Sequence, residues 1–218
     1  MLAILQAAGW PVWPLVAASI IALGIVLERT WVLRRGAILP AGLLEDTLRE
    51  VRARGVSQEL LDRLTTGSPM GVVLAAGLRH GARSRVLMRE SLEDAGRRVA
   101  HELGRFLPGL GTIASISPIM GLFGTVVGMI EIFGAQNPSG ASPAQLAHGI
   151  SVALYNTAFG LMVAVPSMIL YRTLRQRVEA LVMDMEAEAL RMVDALHPPA
   201  GAPGHAAPET PASGGSRP

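Results

Sequence analysis

The chain has 218 residues, of which 50% are hydrophobic and only 17% are charged, and its mean hydropathy is +0.39. This apolar excess excludes an ordinary soluble domain and makes an integral membrane protein the expected class. The absence of cysteine excludes disulfides, thiolate metal sites and cysteine nucleophiles. The five histidines show no i, i+3 or i, i+4 pairing, so we expect no metal ion and no cofactor.

Three apolar segments are long enough to cross about 30 Å of hydrocarbon, which takes about 20 helical residues. They predict an all-α integral membrane protein with three transmembrane helices. The first segment is interpreted as a retained helix, because its apolar run exceeds that of a secretory signal and no basic segment precedes it. The predicted organisation is a short outer N-terminus with the first span at 1–33, a cytoplasmic helical segment at 34–106, the second span at 107–133, a short outer loop at 134–145, the third span at 146–171, a cytoplasmic helical extension at 172–196 and a disordered tail at 197–218.

The arginines determine the predicted orientation. Residues 34–105 contain 13 of the 19 basic residues, all of them arginine, whereas residues 134–147 contain none. The positive-inside rule therefore places the N-terminus and the short loop outside, and the long segment and the C-terminus inside. A nucleic-acid-binding surface is the competing interpretation, and we expect no nucleic acid partner because the arginines flank membrane spans and alternate with acids, as in "RESLEDAGRR".

Two apolar faces predict that the second and third membrane helices extend into the cytoplasm. The faces consist of Met88, Leu92, Ala95, Val99, Leu103 and Phe106, and of Val178, Val182, Met185, Ala189, Met192 and Leu196. We expect the first face to continue straight into span two, with Pro108 as the only obvious place for a kink. The faces are expected to pack against each other or against copies of the chain, and the open alternative is that each covers its own small core. Before the first face, Ser68 and Pro69 predict a capped helix start.

Spans two and three each carry a face of small residues with a threonine in the middle. The positions of each face are spaced i, i+4 and i+7, and they are Gly121, Thr125 and Gly128 in span two and Ala153, Thr157 and Gly160 in span three. Both threonines are expected at a depth of about 13 to 15 Å, near the bilayer centre. The competing interpretation is that small residues only allow close helix packing and that each threonine bonds its own helix backbone.

Other polar and helix-bending residues lie in the same spans. Asn156 needs a polar partner or water at this depth. Glu131 lies within a turn of the outer surface, where we expect it to be solvated. Pro118 and Pro166 lie inside their spans, where proline frees backbone carbonyls and often marks a bend. Together these residues indicate a polar face that points to the interior of a helix bundle.

The strings "LGRFLPGLGTIASISPIMGLFGTVVGMIEIFG" and "GISVALYNTAFGLMVAVPSMILYRTLRQRVEAL" resemble the MotA/TolQ/ExbB proton-channel family, and the first string resembles the ExbB/TolQ branch most. The resemblance covers spans two and three and the helix before span two with high specificity. The segment "GSPMGVVLAAGLRHG" also fits, and span one fits mainly by position. The order of one span, a long cytoplasmic segment and two neighbouring spans is that family's topology as well.

The resemblance implies a homo-oligomer in the bacterial inner membrane, a pentamer in this family, whose second and third helices line a pore. It also implies a one-span partner of the ExbD/TolR kind with an essential membrane aspartate, and a periplasm-spanning partner of the TonB/TolA kind that receives the work. By position, Thr125 and Thr157 match the family's pore-facing threonines, and Asn156 and Ser151 are expected beside them on the proton pathway. The residues expected to pack the helices are Gly121, Gly124, Gly128, Ala153 and Gly160.

One position departs from the family pattern. Many ExbB-like and TolQ-like members have a glutamate five residues before the threonine of span three, where this chain has Val152. We therefore expect the membrane carboxylate to come from the partner. The expected function is the proton-channel subunit of an ExbB-like complex that couples the proton motive force to outer-membrane transport.

Three alternative functions remain open. They are a TolQ-like subunit for envelope maintenance, a MotA-like stator, towards which "VALYNTAFG" leans, and a non-conducting membrane scaffold. We do not expect an enzyme, because the sequence has no HExxH, no GxSxG and no paired membrane aspartates.

Overall fold

The computed structural model describes residues 9–81, 84–134 and 143–198, and within these ranges the chain forms eight α-helices and no β-strand. The helices are α1 (Val12–Val32), α2 (Arg35–Ile38), α3 (Leu43–Arg54), α4 (Gln58–Gly67), α5 (Pro69–Gly81), α6 (Arg85–Leu103), α7 (Leu107–Gly134) and α8 (Pro143–Leu196). Three helices of the described ranges, α1, α7 and α8, are long and apolar enough to cross a membrane. The prediction of an all-α membrane protein with three transmembrane helices is thus confirmed. Residues 135–142 of the predicted outer loop and the predicted tail from residue 199 lie outside the described residues.

The helices belong to two compact units, which we describe separately. The membrane unit comprises the described residues of Met1–Pro40 and Arg97–Asp184, and it contains α1 and α7. The second unit comprises the described residues of Ala41–Gly96 and Met185–Pro218, and it contains α3, α4 and α5. The long helices α6 and α8 contribute residues to both units.

The core of the second unit forms around α5. A Cβ atom added at Gly77 would lie 2.7 Å from Leu92 Cδ2 and 2.8 Å from Met192 Cε, so the side chains of α6 and α8 both contact α5 at this glycine. Met88 and Met192 are completely buried. The two apolar faces predicted from the sequence therefore share one core in this unit, and the alternative of two separate cores is wrong for these residues. Arg85 of α6 also pairs with Asp194 of α8 at 2.7 Å.

Serine side chains cap two helices of the second unit. Ser68 Oγ accepts a hydrogen bond from the Gly71 amide at 3.1 Å, and α5 begins at Pro69 as the sequence predicted. Ser57 Oγ accepts one from the Leu60 amide at the start of α4. Both caps satisfy an amide that the first helical turn leaves without an intrahelical partner.

In the membrane unit, α6 and α7 are separate helices, and the predicted straight continuation at this point is wrong. Helix α6 ends at Leu103, and α7 begins at Leu107 after a turn in which Phe106 has a left-handed backbone with φ of 68°. Pro108 lies in the first turn of α7, where its missing N–H removes no helical hydrogen bond. The apolar spacing misled the prediction because Leu103, Leu107 and Leu110 stay buried across the turn, whereas Phe106 is 46% exposed.

One face of α1 packs on α7, and the opposite face is exposed. Leu15, Ala22 and Arg29 are buried at steps of seven residues, and Ile25 Cδ1 lies 3.9 Å from the Cβ position of Gly109 in α7. On the exposed face, Trp13 and Trp31 are 64% and 68% exposed and are separated by about 27 Å of helix rise. This separation is close to the thickness of the hydrocarbon layer, and tryptophan favours the two membrane interfaces.

We predict that Gly71→Ala destabilises the second unit. The added Cβ would lie 2.1 Å from the backbone oxygen of Leu64, which cannot move without shifting α4. We expect a loss of about 1 to 3 kcal/mol, the usual cost of overpacking, measured as a lower thermal unfolding temperature of the purified protein. The matched control is Gly96→Ala, because that helical position has open space around it. An unfolding temperature of Gly71→Ala equal to that of Gly96→Ala would contradict the packing described here.

Candidate functional site

Helices α7 and α8 of the membrane unit contact each other along most of the shared span. Successive contacts pair Gly111 with Tyr171, Gly121 with Gly160, Gly128 with Ala153, and Ile132 with Gly149. Because the residue numbers rise in α7 and fall in α8, the two helices are antiparallel. Gly121 and Gly160 meet backbone atoms of the facing helix, which is where small residues allow membrane helices to approach closely.

The closest approach is at Gly121 and Gly160. A Cβ added at Gly160 would lie 2.5 Å from the Ser117 carbonyl oxygen and 3.0 Å from Gly121 Cα. A Cβ added at Gly121 would lie 2.7 Å from the Asn156 carbonyl oxygen. The atoms met at these distances belong to the backbone, so no rotation of a side chain could make room. The two helices can take this arrangement only with glycine at both positions.

Asn156 lies inside this contact. Its side chain is buried, with 1% exposure, and a Cβ added at Gly124 would lie 2.8 Å from both Cβ and Cγ of Asn156. The amide of α8 therefore occupies the space that the missing side chain of Gly124 leaves on α7. The sequence predicted Asn156 beside the threonines on the proton pathway, and the structure shows its side chain packed between the two helices of one chain.

Thr125 and Thr157 lie at the same level of the helix pair. Each follows directly after a member of the Gly124 and Asn156 contact, and each is half-buried at the edge of the helix interface. The sequence predicted an equal depth in the membrane for the two hydroxyls, and that depth stays a prediction. They are neutral groups that can both donate and accept a hydrogen bond.

The two hydroxyls differ in their hydrogen bonding. Thr125 Oγ1 donates to the carbonyl oxygen of Leu122 in its own helix at 2.6 Å. Thr157 Oγ1 makes no hydrogen bond with the described part of the chain. The proton of Thr125 is therefore committed to its own backbone, as the competing interpretation held for both threonines, while the proton of Thr157 is available to another group.

The other polar residues predicted for the site lie elsewhere on the helices. Ser151 is exposed, and its Oγ donates to the Ala147 carbonyl oxygen at 2.9 Å. Glu131, the only acidic residue of the sequence between 107 and 171, is exposed six residues beyond Thr125. Val152, at the position where the resemblance implies a glutamate, is half-buried. The site thus brings together two hydroxyls and an amide but no carboxylate of its own.

Sequence reasoning missed Ser117 in this site. Ser117 is buried, its Oγ donates to the Ile113 carbonyl oxygen, and its own carbonyl oxygen faces Gly160. The signal was available, because Ser117 extends the face of small residues by four positions before Gly121. Within the described ranges, no group of three His, Asp or Glu residues could hold a metal ion.

Comparison with known proteins connects this helix pair to a family. Residues 65–187 match the model of the MotA/TolQ/ExbB proton channel family. The chain is 30% identical over 169 residues to biopolymer transport protein exbB1 of Vibrio cholerae, which covers 74% of this chain and 73% of that protein. It is 32% identical over 158 residues to the putative biopolymer transport protein ExbB homolog of Methanothermobacter thermautotrophicus, covering 70% of this chain and 55% of that protein.

A third relative is similar over a shorter region. The chain is 44% identical over 93 residues to Tol-Pal system protein TolQ of Haemophilus influenzae, which covers 41% of this chain and 40% of that protein. The segment matched by the family model contains both threonines and the glycine contacts between α7 and α8.

We predict that Gly160→Ala separates α7 from α8. Its Cβ would overlap the backbone at Ser117 and Gly121, and we expect a loss of about 1 to 3 kcal/mol, measured as a lower thermal unfolding temperature in lipid nanodiscs. Gly24→Ala is the control, because that glycine lies in α1 with nothing within 4 Å of its Cβ position. If both variants unfold at the wild-type temperature, the backbone contact is not the one described.

Proposed function

The chain belongs to the MotA/TolQ/ExbB proton channel family, and from this membership we propose that it is the proton-channel subunit of an ExbB-like energy-transducing complex of the bacterial inner membrane. The observation that carries the proposal is the pair of threonines at one level of α7 and α8, within the segment that matches the family. The ExbB-like choice is supported by the length of the similarity, because the match to exbB1 spans 169 residues and the match to TolQ spans 93.

In this proposal the chain forms a homo-oligomer around a one-span partner of the ExbD/TolR kind, whose membrane aspartate supplies the missing carboxylate. The hydroxyl of Thr157 donates a hydrogen bond to the ionised carboxylate. The hydroxyl of Thr125 already donates a hydrogen bond to the Leu122 carbonyl oxygen, so its oxygen accepts a hydrogen bond from the protonated acid. The two hydroxyls thus contact the carboxyl group in both protonation states without adding a fixed charge that would hold it in one of them.

We propose that the change between the ionised and the protonated carboxyl group drives a movement of the partner. Protonation removes the charge of the partner's aspartate, and a neutral carboxyl group is far less costly to move through an apolar pore than an ionised one. We propose that the partner moves relative to the ring of this chain at that step, and that a periplasm-spanning protein of the TonB/TolA kind receives the motion. The TolQ-like alternative is favoured by the 44% identity over the matched 93 residues, and it uses the same site.

We predict that Thr157→Val lowers proton flux by roughly tenfold to a hundredfold, the range for losing a hydrogen bond to a charged group, and that Thr125→Val lowers it by roughly twofold to tenfold, the range for losing a neutral hydrogen bond. The flux is measured in proteoliposomes that contain the chain and its one-span partner. Valine keeps the shape of threonine, so native mass spectrometry should give an unchanged oligomer. Thr157→Ser, which keeps the hydroxyl, is expected to conduct.

The matched control for these variants is Thr30→Val, because Thr30 is an exposed threonine of α1. Its flux should equal that of the wild type. Full flux in both Thr125→Val and Thr157→Val would overturn the site assignment, whereas the absence of flux in the wild type would favour a non-conducting scaffold.

We propose that the N-terminus and the end of α7 face the periplasm and that α3 to α5 lie in the cytoplasm. The natural chain has no cysteine, so single cysteines report this orientation without background. In intact spheroplasts, a membrane-impermeant maleimide should label Gly134→Cys, an exposed position at the end of α7. It should label Arg54→Cys, an exposed position of α3, only after the membrane is permeabilised. The reverse pattern would show the opposite orientation.

A further inference from the structure

Arg29 is a buried charged residue near the C-terminal end of α1 that the proposed proton pathway does not use. Only 5% of it is exposed. Its Nη1 donates to the carbonyl oxygens of Glu102 at 3.3 Å and Leu103 at 3.2 Å, and its Nε and Nη2 bind the carboxylate of Glu28. A buried arginine is normally found only where its charge and its donors are satisfied, as they are here.

The two carbonyls belong to the last turn of α6. The Leu107 amide, which would bond Leu103 in a continuous helix, bonds Gly104 instead, so the chain leaves α6 at this point. A cationic donor is favourable at such a helix C-terminus, because it binds the last carbonyl oxygens and interacts favourably with the negative end of the helix dipole; here the Glu102 carbonyl oxygen also accepts from the Arg105 amide. Arg29 therefore binds the end of a helix to which it is not connected in sequence.

Phe106 completes what we call the Arg29 cluster, which consists of Arg29, Glu28, Leu103 and Phe106. The Phe106 ring centroid lies 5.3 Å from Arg29 Cζ and 4.8 Å from Arg105 Cζ, and its backbone is left-handed with φ of 68°. A bulky residue keeps this unfavourable conformation only where its surroundings hold it. Two guanidinium groups against one ring provide such surroundings.

The same helix α1 also contacts α7 further along. Ile25 packs at Gly109, and Trp10, which lies two residues before α1, packs edge to face on Phe123 with ring centroids 6.2 Å apart. Phe123 lies two residues from Thr125. Contacts of α1 and of the turn before it thus extend along α7 to the level of the candidate site.

We infer that Arg29 is a positioning residue, which holds the turn between α6 and α7 and thereby fixes the direction in which α7 presents Thr125. Its effect on proton flux rests on the proposed function, whereas its effect on the turn does not. Lysine cannot replace it, because a single ammonium group lacks the planar set of donors that binds a carboxylate and two carbonyl oxygens together. Arg29→Lys therefore separates the two contributions, because it keeps the positive charge but loses the planar arrangement of donors.

The direct test measures the angle between α6 and α7 by pulsed electron paramagnetic resonance. Spin labels are attached at Arg98→Cys in α6 and Ile116→Cys in α7, which are exposed positions on either side of the turn within the membrane unit. The full-length labelled chain is diluted with unlabelled chain in nanodiscs, so that each oligomer carries one labelled pair. We expect Arg29→Gln and Arg29→Lys to broaden the distance distribution and shift its maximum, and Arg34→Gln, an exposed arginine beyond α1, to leave it unchanged.

Substitutions of Phe106 keep the test decisive if the Arg29 variants fail to fold. Phe106→Gly adopts the left-handed backbone without strain, so the protein should fold, but the ring contact is lost and the distribution should broaden. Phe106→Trp keeps an aromatic face for both guanidinium groups, so its distance distribution should stay as narrow as that of the wild type. A narrow wild-type distribution in Phe106→Gly, or in a folded Arg29→Lys protein, would overturn the inference.

The functional readout is proton flux in proteoliposomes with the one-span partner. We expect Arg29→Lys to lower the flux by roughly tenfold, as misplaced reacting groups do, while the oligomer keeps its mass. If the wild-type protein carries no protons, the proposed function fails, and the spin-label distances still decide the role of Arg29. If the wild type conducts and Arg29→Lys conducts equally with unchanged distances, only the role of Arg29 is rejected.

Discussion

The backbone contact between Gly121 and Gly160 is the constraint on which the rest of the membrane unit depends. Lipid chains are as apolar as leucine, so burying apolar side chains gives membrane helices little reason to associate. Close approach supplies the missing attraction, because many backbone atoms then lie at van der Waals distance. The contact also sets the position of α8 along α7, which brings Asn156 against Gly124 and places the two threonines at one level.

Much of this arrangement could be predicted from the sequence. The three spans follow from apolar length, and the contact face follows from small residues at helical spacing. The turn before α7 could not be predicted, since Leu103, Leu107 and Leu110 keep the helical spacing although the helix breaks between them. Arg29 was also missed, because an arginine at the end of a span normally marks the water interface, and its burial depends on residues more than 70 positions away. Spacing identified the face of Asn156 but could not show which helix covers it.

The site on this chain contains only neutral polar groups, and this is the physical reason why the proposal assigns the titratable carboxylate to the partner. A carboxylate on this chain would need partners in every state of the complex, because an ionised group within an apolar membrane span is costly without them. Hydroxyl groups carry no such cost, since each can bond its own helix backbone, as Thr125 does with Leu122. The chain can therefore hold its structure whether or not a titratable partner is present at this level.

The fit between Gly124 and Asn156 links two positions that are far apart in the sequence but share one volume. An added methyl group at 124 would overlap the amide at 156, so neither position can change its size alone. The packing of α7 on α8 thus constrains the summed volume of the two side chains. A lineage could exchange the roles, with a small residue on α8 and a larger one on α7, only through an intermediate in which the helices are forced apart or a cavity opens between them.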